Sequence, residues 1–374
     1  MKSMKGCFHA AAGKIVLLTA ACLLLMLFCA PLCLVYAQES NEVVKPGDFL
    51  FNDAHFHLTN YIQEGTDIRV YVNEIMGDKI GRSTLFGLPL QQQWSYRVTG
   101  DFAPTYYLDT DAHLYYYSFT DASIAMAYKS LSAEQQKRLD PMITGFNPTD
   151  MYAAAHIRRV LLTFPGVFSG VGEFTIHKEF VSSKIEGDVA SFYDPALDSI
   201  LSFCAEVGLV ALVHNDIDNP FPKPGKPNYL DGMKDLVKRH PKTTIIWAHV
   251  GVGRIIAPLK DMVTLMEQLI SDPAYNNLYI DISWDEVAKY IVASETSVNN
   301  SAYLINKYPD RFLFGTDNVA PTSQEKHLGV YRIYDPLWKL LTPEALEKIL
   351  KTNYERLFDK ARIDVRAWEQ ANSE

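Results

Sequence analysis

Phe49-Leu-Phe-Asn-Asp-Ala-His-Phe-His57 is the stretch on which the fold turns. An apolar run ends in two histidines at i and i+2, which an extended strand presents on one face. Imidazole is the commonest side-chain ligand of zinc and its neighbours. A His-x-His pair occurs by chance, so alone it is weak evidence. It gains weight because Glu173, His214, His249 and Asp317 follow, each at the end of its own apolar, strand-like run.

Those runs recur with a period. Strands are expected near 49–55, 83–88, 141–146, 168–173, 208–214, 243–249, 278–282 and 311–316. Helices are expected over 67–79, 150–163, 192–206, 229–239, 254–270, 284–293 and 299–307. The strands are continuous apolar runs, such as Leu209-Val-Ala-Leu-Val213 and Thr244-Ile-Ile-Trp-Ala248. Continuous runs belong to a parallel sheet covered on both faces. The α/β pattern implies a (β/α)8 TIM barrel in one domain, with a doubly wound open sheet as its competitor. Spacing favours the barrel. Glu173 to His214 is 41 residues, His214 to His249 is 35, and His249 to Asp317 is 68, two units of 34. Each candidate ligand then lies at the C-terminal end of a strand, the rim on which barrels build active sites.

The chain begins differently. Lys2, Lys5 and Lys14 precede an almost wholly apolar stretch from Ile15 to Val35, then Val35-Tyr-Ala37 and polar Gln38-Glu-Ser40. This reads as a signal peptide over 1–37. The expectation is an exported protein, periplasmic or secreted, with no stable membrane insertion after cleavage; the alternative is an uncleaved anchor. Cys7, Cys22, Cys29 and Cys33 lie in the leader, so the mature chain keeps only Cys204 and forms no internal disulfide. Losing three lysines and no acid takes the net charge from −9 to −12. So acidic a chain has no overall pull toward nucleic acid. The barrel is expected over 48–360 with a helical tail at 361–374, and the helical stretch from Thr342 to Ala371 is expected to pack on the barrel's outside. Segment 89–140, rich in aromatics such as Trp94, Tyr106 and Tyr115, reads as an insertion after strand 2. It makes either a small aromatic core or a wall of the substrate pocket.

The ligand chemistry follows residue by residue. His55, His57 and Asp317 suit a first, buried metal. Glu173, with two oxygens, suits a bridge to a second ion held by His214 and His249. Nitrogen and oxygen donors without sulfur fit zinc first, with manganese, iron, nickel or cobalt also fitting. A divalent metal lowers the pKa of water toward ~7 and polarises a scissile carbonyl. Asp317 and His249 are the candidate catalytic pair, Asp317 as proton carrier. Arg254 and His177 are candidate substrate contacts. Asp281, Asn215, Asp216 and Asn318 are placed to orient ligands.

Three phrases, Asn52-Asp-Ala-His-Phe-His57, Trp247-Ala-His-Val-Gly251 and Leu313-Phe-Gly-Thr-Asp317, resemble the amidohydrolase superfamily, in its amidohydrolase-related branch. The tail phrases Ile349-Leu-Lys-Thr-Asn353 and Leu357-Phe358 are similar too, and the resemblance spans about 49–358. It implies that His55, His57, Glu173, His214, His249 and Asp317 are metal ligands. Many members carry a carboxylated lysine where this chain has Glu173. Gly170-Val-Gly-Glu173 is similar to DNase-like metal-dependent hydrolases, but the acidic charge argues against a nucleic-acid substrate. Decarboxylases of the branch use one metal and do without the strand-4 glutamate. The expected function is therefore metal-dependent hydrolysis of a small amide, ester or lactone, with a mononuclear decarboxylase as the alternative. The partner is a small molecule, and the oligomeric state is open, a homo-oligomer included.

Overall fold

The structure, a computed structural model, describes residues 49–60, 64–88, 92–94, 119–179, 181–185, 188–219 and 229–373. The expected leader and most of the aromatic insertion (89–91 and 95–118) lie outside the described residues. Among the described residues no helix is long and apolar enough to cross a membrane.

The chain builds β1 (Phe51–Asp53), β2 (Ile80–Leu85), β3 (Leu139–Ile143), β4 (Gly170–Lys178), β5 (Val210–Asn215), β6 (Ile245–Trp247), β7 (Leu278–Asp281) and β8 (Phe312–Leu313). Each strand pairs in parallel with the next in chain order. The chain then continues past β8 alongside the first strand. Ala54 N–H donates to Phe314 O at 3.1 Å, Asp317 N–H to His55 O at 2.8 Å and Ala320 N–H to His57 O at 2.9 Å. Asn318–Val319 runs parallel to Phe56–His57. Last meets first, and the sheet is the expected barrel.

Helices between the strands and after the last one bury one face each. These are α1 (Thr120–Lys129), α2 (Ala153–Thr163), α3 (Pro195–Val207), α4 (Leu230–Arg239), α5 (Met262–Ser271), α6 (Glu295–Lys307), α7 (Gln324–Ile333) and α8 (Asn353–Asn372). In α4 the buried residues are Leu230, Met233, Leu236 and Val237, the helical spacing of a single stripe. α3 starts with Pro195 in its first turn and stops at Gly208, whose φ of 88° is the left-handed conformation glycine takes most readily.

Several boundaries differ from expectation for identifiable reasons. β2 begins at Ile80 rather than 83, because Arg82 is carried in the strand by its ion pair to Asp140 (2.8 Å). The helix expected from 254 starts only at Met262, since Pro258 disfavours helical geometry in the residue before it. β4 runs on to Lys178, so His177 lies in a strand and not on a loop, forming a hairpin with Val181–Ile185. The C-terminal part of the expected insertion is ordinary connection: α1, then Ala133–Lys137 entered through a Ser132/Gln135 capping box, leading into β3. Gln92–Trp94 pairs antiparallel with Val181–Ser183.

The tail packs on the outer ring in its last turns, where Trp368 meets Phe203 of α3 edge-on with centroids 5.5 Å apart and Arg158 Cζ of α2 lies 5.0 Å from the Trp368 ring. Its helix α8 runs unbroken through residue 361 and crosses the lower mouth of the barrel. Tyr354, Leu357, Phe358 and Ala361 pack there against Met142, Val210, Leu212, Ile246 and Leu313. Val210 and Leu212 share the strand face of His214, so this cluster fills the interior directly beneath the candidate ligands. Buried Asp140 fastens the plug, taking hydrogen bonds from Tyr354 Oη at 2.8 Å and Arg362 Nε at 2.5 Å. Phe358→Ala is expected to cost about 3–5 kcal/mol in urea denaturation, because the side chain is wholly buried. Bound metal per folded molecule should stay unchanged.

Candidate metal centre

Three strands, β1, β4 and β5, and the segments after β6 and β8 converge above that plug. His55 and His57 leave β1 on one face. Asp317 reaches them from the chain beyond β8, its Oδ1 3.2 Å from His55 Nε2 and 3.1 Å from His57 Nε2. The approach demands glycine at 315, where a Cβ would stand 2.6 Å from His55 N. Glu173 comes from β4. The preceding Gly172 has a φ of 118°, and a Cβ there would meet Leu212 O at 2.2 Å. Glu173 thereby lies between two groups. Its Oε2 is 3.5 Å from His57 Nε2 and 3.8 Å from His55 Nε2. Its Oε1 is 2.6 Å from His214 Nδ1 and 3.4 Å from His249 Nε2.

All six side chains expected to meet do meet, every one buried except Asp317 on the rim. They form two trios able to hold an ion, His55/His57/Asp317 and Glu173/His214/His249. Nε2 of His55 and of His249 is buried without an aligned hydrogen-bond partner. Orphaned nitrogens facing carboxylate oxygens, with no sulfur nearby, are the donor set of a divalent metal.

The other nitrogen of each ring is held from behind. His55 Nδ1 meets Asp281 Oδ2 at 2.8 Å, and Ser283 Oγ lies 3.2 Å from His55 Nδ1 and 3.0 Å from His249 Nδ1. Ser283 Oγ also donates to Asp281 Oδ2 at 2.6 Å. His57 Nδ1 meets Gly87 O at 3.2 Å, and His214 Nε2 meets Asp216 Oδ1 at 3.2 Å. Such partners set the ring orientation and basicity of metal ligands. Asp281 and Asp216 were anticipated as such. Asn215 and Asn318 instead bond Asp216 O and His327. Ser283 was missed, although it follows Asp281 at the two-residue period of a strand.

Electrostatics within the centre is self-compensating. Burial acts to lower the His55 imidazole, but Asp317, Asp281 and Glu173 hold it well above its ordinary value. Burial acts to raise the Glu173 carboxyl, yet Lys178 and His214 keep it well below the usual carboxylate range. Asp317 is likewise held low against burial, by His55, His249 and His57. Burial lowers His249 outright.

A family profile described as Amidohydrolase matches residues 52–360. The chain belongs to the amidohydrolase family. No curated protein matches the sequence. Among solved structures, dihydroorotase from Campylobacter jejuni is 16% identical, covering 83% of this chain and 84% of its own, with a TM-score of 0.49. A 2,6-dihydroxybenzoate decarboxylase from Rhizobium is 14% identical, covering 83% and 99%, also with a TM-score of 0.49. Membership in that family, shown by the profile, makes the chain an enzyme of a metal-dependent superfamily.

The two expected substrate contacts have partners of their own. Arg254 has a 40% exposed side chain and pairs with Glu286 Oε1 at 3.1 Å. His177 is buried, its ring stacked on Tyr229 with centroids 4.1 Å apart. Burial pushes the His177 imidazole down to about 4, against the pull of Asp216. The unfolded chain takes up that proton near pH 6.5 while the folded enzyme refuses it until about 4. Stability is therefore lost as pH falls through this window. His177→Phe is expected to keep the stack and flatten the loss between pH 7 and pH 5 by up to ~2 kcal/mol, read by urea denaturation. Ser283→Ala is expected to weaken metal retention by about 10–100-fold in chelator competition, with the six ligands intact.

Proposed function

We propose that this enzyme is a metal-dependent hydrolase of a small-molecule amide, ester or lactone. The observation that carries the reading is the position of Glu173, with one oxygen toward the His55/His57 trio and the other toward His214 and His249. A carboxylate so placed suits a bridge between two ions, zinc foremost given the nitrogen and oxygen donors. When bound, the metal acidifies water and polarises the scissile carbonyl.

The protein's own residues do the rest. Asp317, its side chain only 8% exposed at the rim, takes a proton from the attacking water and relays it to the leaving group. His249 Nε2 lies 3.7 Å from Asp317 Oδ2, beside the carboxylate that moves the proton. Arg254 on the rim grips the substrate, and His177 fixes the wall behind it. The leader over 1–37 makes this an exported activity, periplasmic or secreted.

Glu173→Gln is the decisive variant. The reading expects about two transition metals per wild-type chain, one in the variant, and loss of hydrolysis across an ester, lactone and amide panel. One metal in the wild type, with the variant fully active and releasing carbon dioxide from aromatic acids, supports a mononuclear decarboxylase instead. Asp317→Asn should lower turnover by about 10²–10⁴-fold, the usual range for a lost proton carrier.

A further inference from the structure

We infer that Asp281, Ser283 and Tyr334 are positioning residues that hold one imidazole of each trio in the form that offers Nε2 to an ion, so that a single buried carboxylate stands behind both ion positions. The inference rests on the two-ion reading above and adds to it how the two positions are tied together.

Counting hydrogens carries the argument. A serine hydroxyl has one hydrogen to donate, and an ionised carboxylate has none. Asp281 is wholly buried at the end of β7, and its Oδ2 stands 2.8 Å from His55 Nδ1 and 2.6 Å from Ser283 Oγ. Both neighbours must donate to it. The Ser283 hydrogen is thereby committed, so Ser283 Oγ can only accept from His249 Nδ1, 3.0 Å away. His55 Nδ1, 3.2 Å from the same Oγ, keeps its shorter bond to the carboxylate. The relay runs from His249 Nδ1–H through the Ser283 hydroxyl to Asp281 Oδ2, where the His55 Nδ1–H also ends. A neutral imidazole with its hydrogen on Nδ1 bears a lone pair on Nε2. Nε2 of these same two rings is buried without an aligned partner. One ring belongs to the His55/His57/Asp317 trio and the other to Glu173/His214/His249, and their centroids lie 4.8 Å apart. His57 and His214 have separate supports, Gly87 O and Asp216.

The backbone around Ser283 is pinned to keep the relay in line. Asp281 Oδ1 accepts the Ser283 N–H at 2.7 Å, which leaves Oδ2 facing the rings. Tyr334 is wholly buried just past α7; its hydroxyl donates to Ile282 O and lies 3.3 Å from Trp284 O, the carbonyls on either side of Ser283. Trp284 has a φ of 85°, an outlier for a bulky residue. Such a conformation persists where the surroundings over-determine it. Asparagine at 281 breaks the relay whichever way it turns. Its amide NH2 faces either the His55 Nδ1–H or the Ser283 N–H, a donor against a donor in both cases. In the first case His55 must shift its hydrogen to Nε2, which closes that nitrogen to an ion.

The test uses the zinc-loaded enzyme and two readouts, the imidazole Nδ1–H resonances in proton NMR and the stepwise zinc constants from chelator competition. Ser283→Ala should move the His249 resonance alone and weaken one zinc constant by about 10–100-fold. Asp281→Asn should move the His55 and His249 resonances together and weaken both constants. Tyr334→Phe, which removes only a hydroxyl, should move the His249 resonance and spare that of His55. Ser283→Ala moving both resonances alike, or Asp281→Asn moving only that of His55, overturns the assignment. Should Asp281→Asn fail to fold, the other two variants decide: a His249 resonance that neither of them moves overturns it equally. The ion count is scored separately. One zinc per wild-type chain refutes the bridging role of Glu173, and a His249 resonance that still answers to Ser283→Ala leaves the relay standing.

Discussion

One seam holds the candidate metal centre together, and it joins residues 263 positions apart in sequence. Asp53 Oδ1 accepts the Thr316 N–H at 2.8 Å, and Asp53 Oδ2 accepts the Thr316 hydroxyl at 2.7 Å. The same carboxylate takes the His55 N–H at 3.2 Å and sits 3.1 Å from His327 Nε2. With Asp317 N–H bonded to His55 O, this fixes the first strand against the last. Two of the first trio's ligands come from one side of the seam and the third from the other. A barrel that failed to close here would still have a sheet, but Asp317 would no longer face His55 and His57.

The seam explains why six ionisable side chains tolerate one buried place. Four imidazoles and two carboxylates cannot all be desolvated alone without a large penalty. They offset one another instead: carboxylates held low, His55, His57 and His214 held high, and His249 kept neutral by burial. Even so, two imidazole nitrogens are left with nothing aligned to them. A divalent cation would satisfy those lone pairs, and the backing contacts of the rings with Asp281, Ser283, Gly87 and Asp216 hold them ready for it.

Much of this was legible along the chain because parallel barrel strands are apolar throughout, so each ends visibly where the first polar residue turns toward the rim. That is how Glu173, His214 and His249 stood out. What escaped reading depends on tertiary contacts. Arg82 looks like a strand boundary and is not, because Asp140 receives it from the next strand. His177 and Lys178 look like a loop, yet β4 continues through them, since its hairpin partner at 181–185 keeps the backbone bonded. The plug formed by α8 has the same amphipathic pattern as any outer helix. Only the interior face of β5, two residues at a time below His214, shows where that helix must go. Ser283 carries no signal of its own beyond its spacing from Asp281.

Backbone strain marks the same rim. His249, Val250, Trp284 and Asp317 all have positive φ, at 61°, 58°, 85° and 52°. Non-glycine residues in that region cost about 1–3 kcal/mol each. Two of the four are proposed ligands, one is the residue next to a ligand, and one is Trp284, whose indole lies 5.0 Å from the His249 ring. At His249 the chain leaves the extended conformation of β6, and Nε2 of the ring lies 3.4 Å from Glu173 Oε1. Asp317, likewise left-handed, faces His55 after Gly315 has brought the chain close. The strain is therefore the consequence of asking strand ends to aim at a common centre rather than at solvent. It persists because the plug below and the seam beside it leave the backbone no lower path.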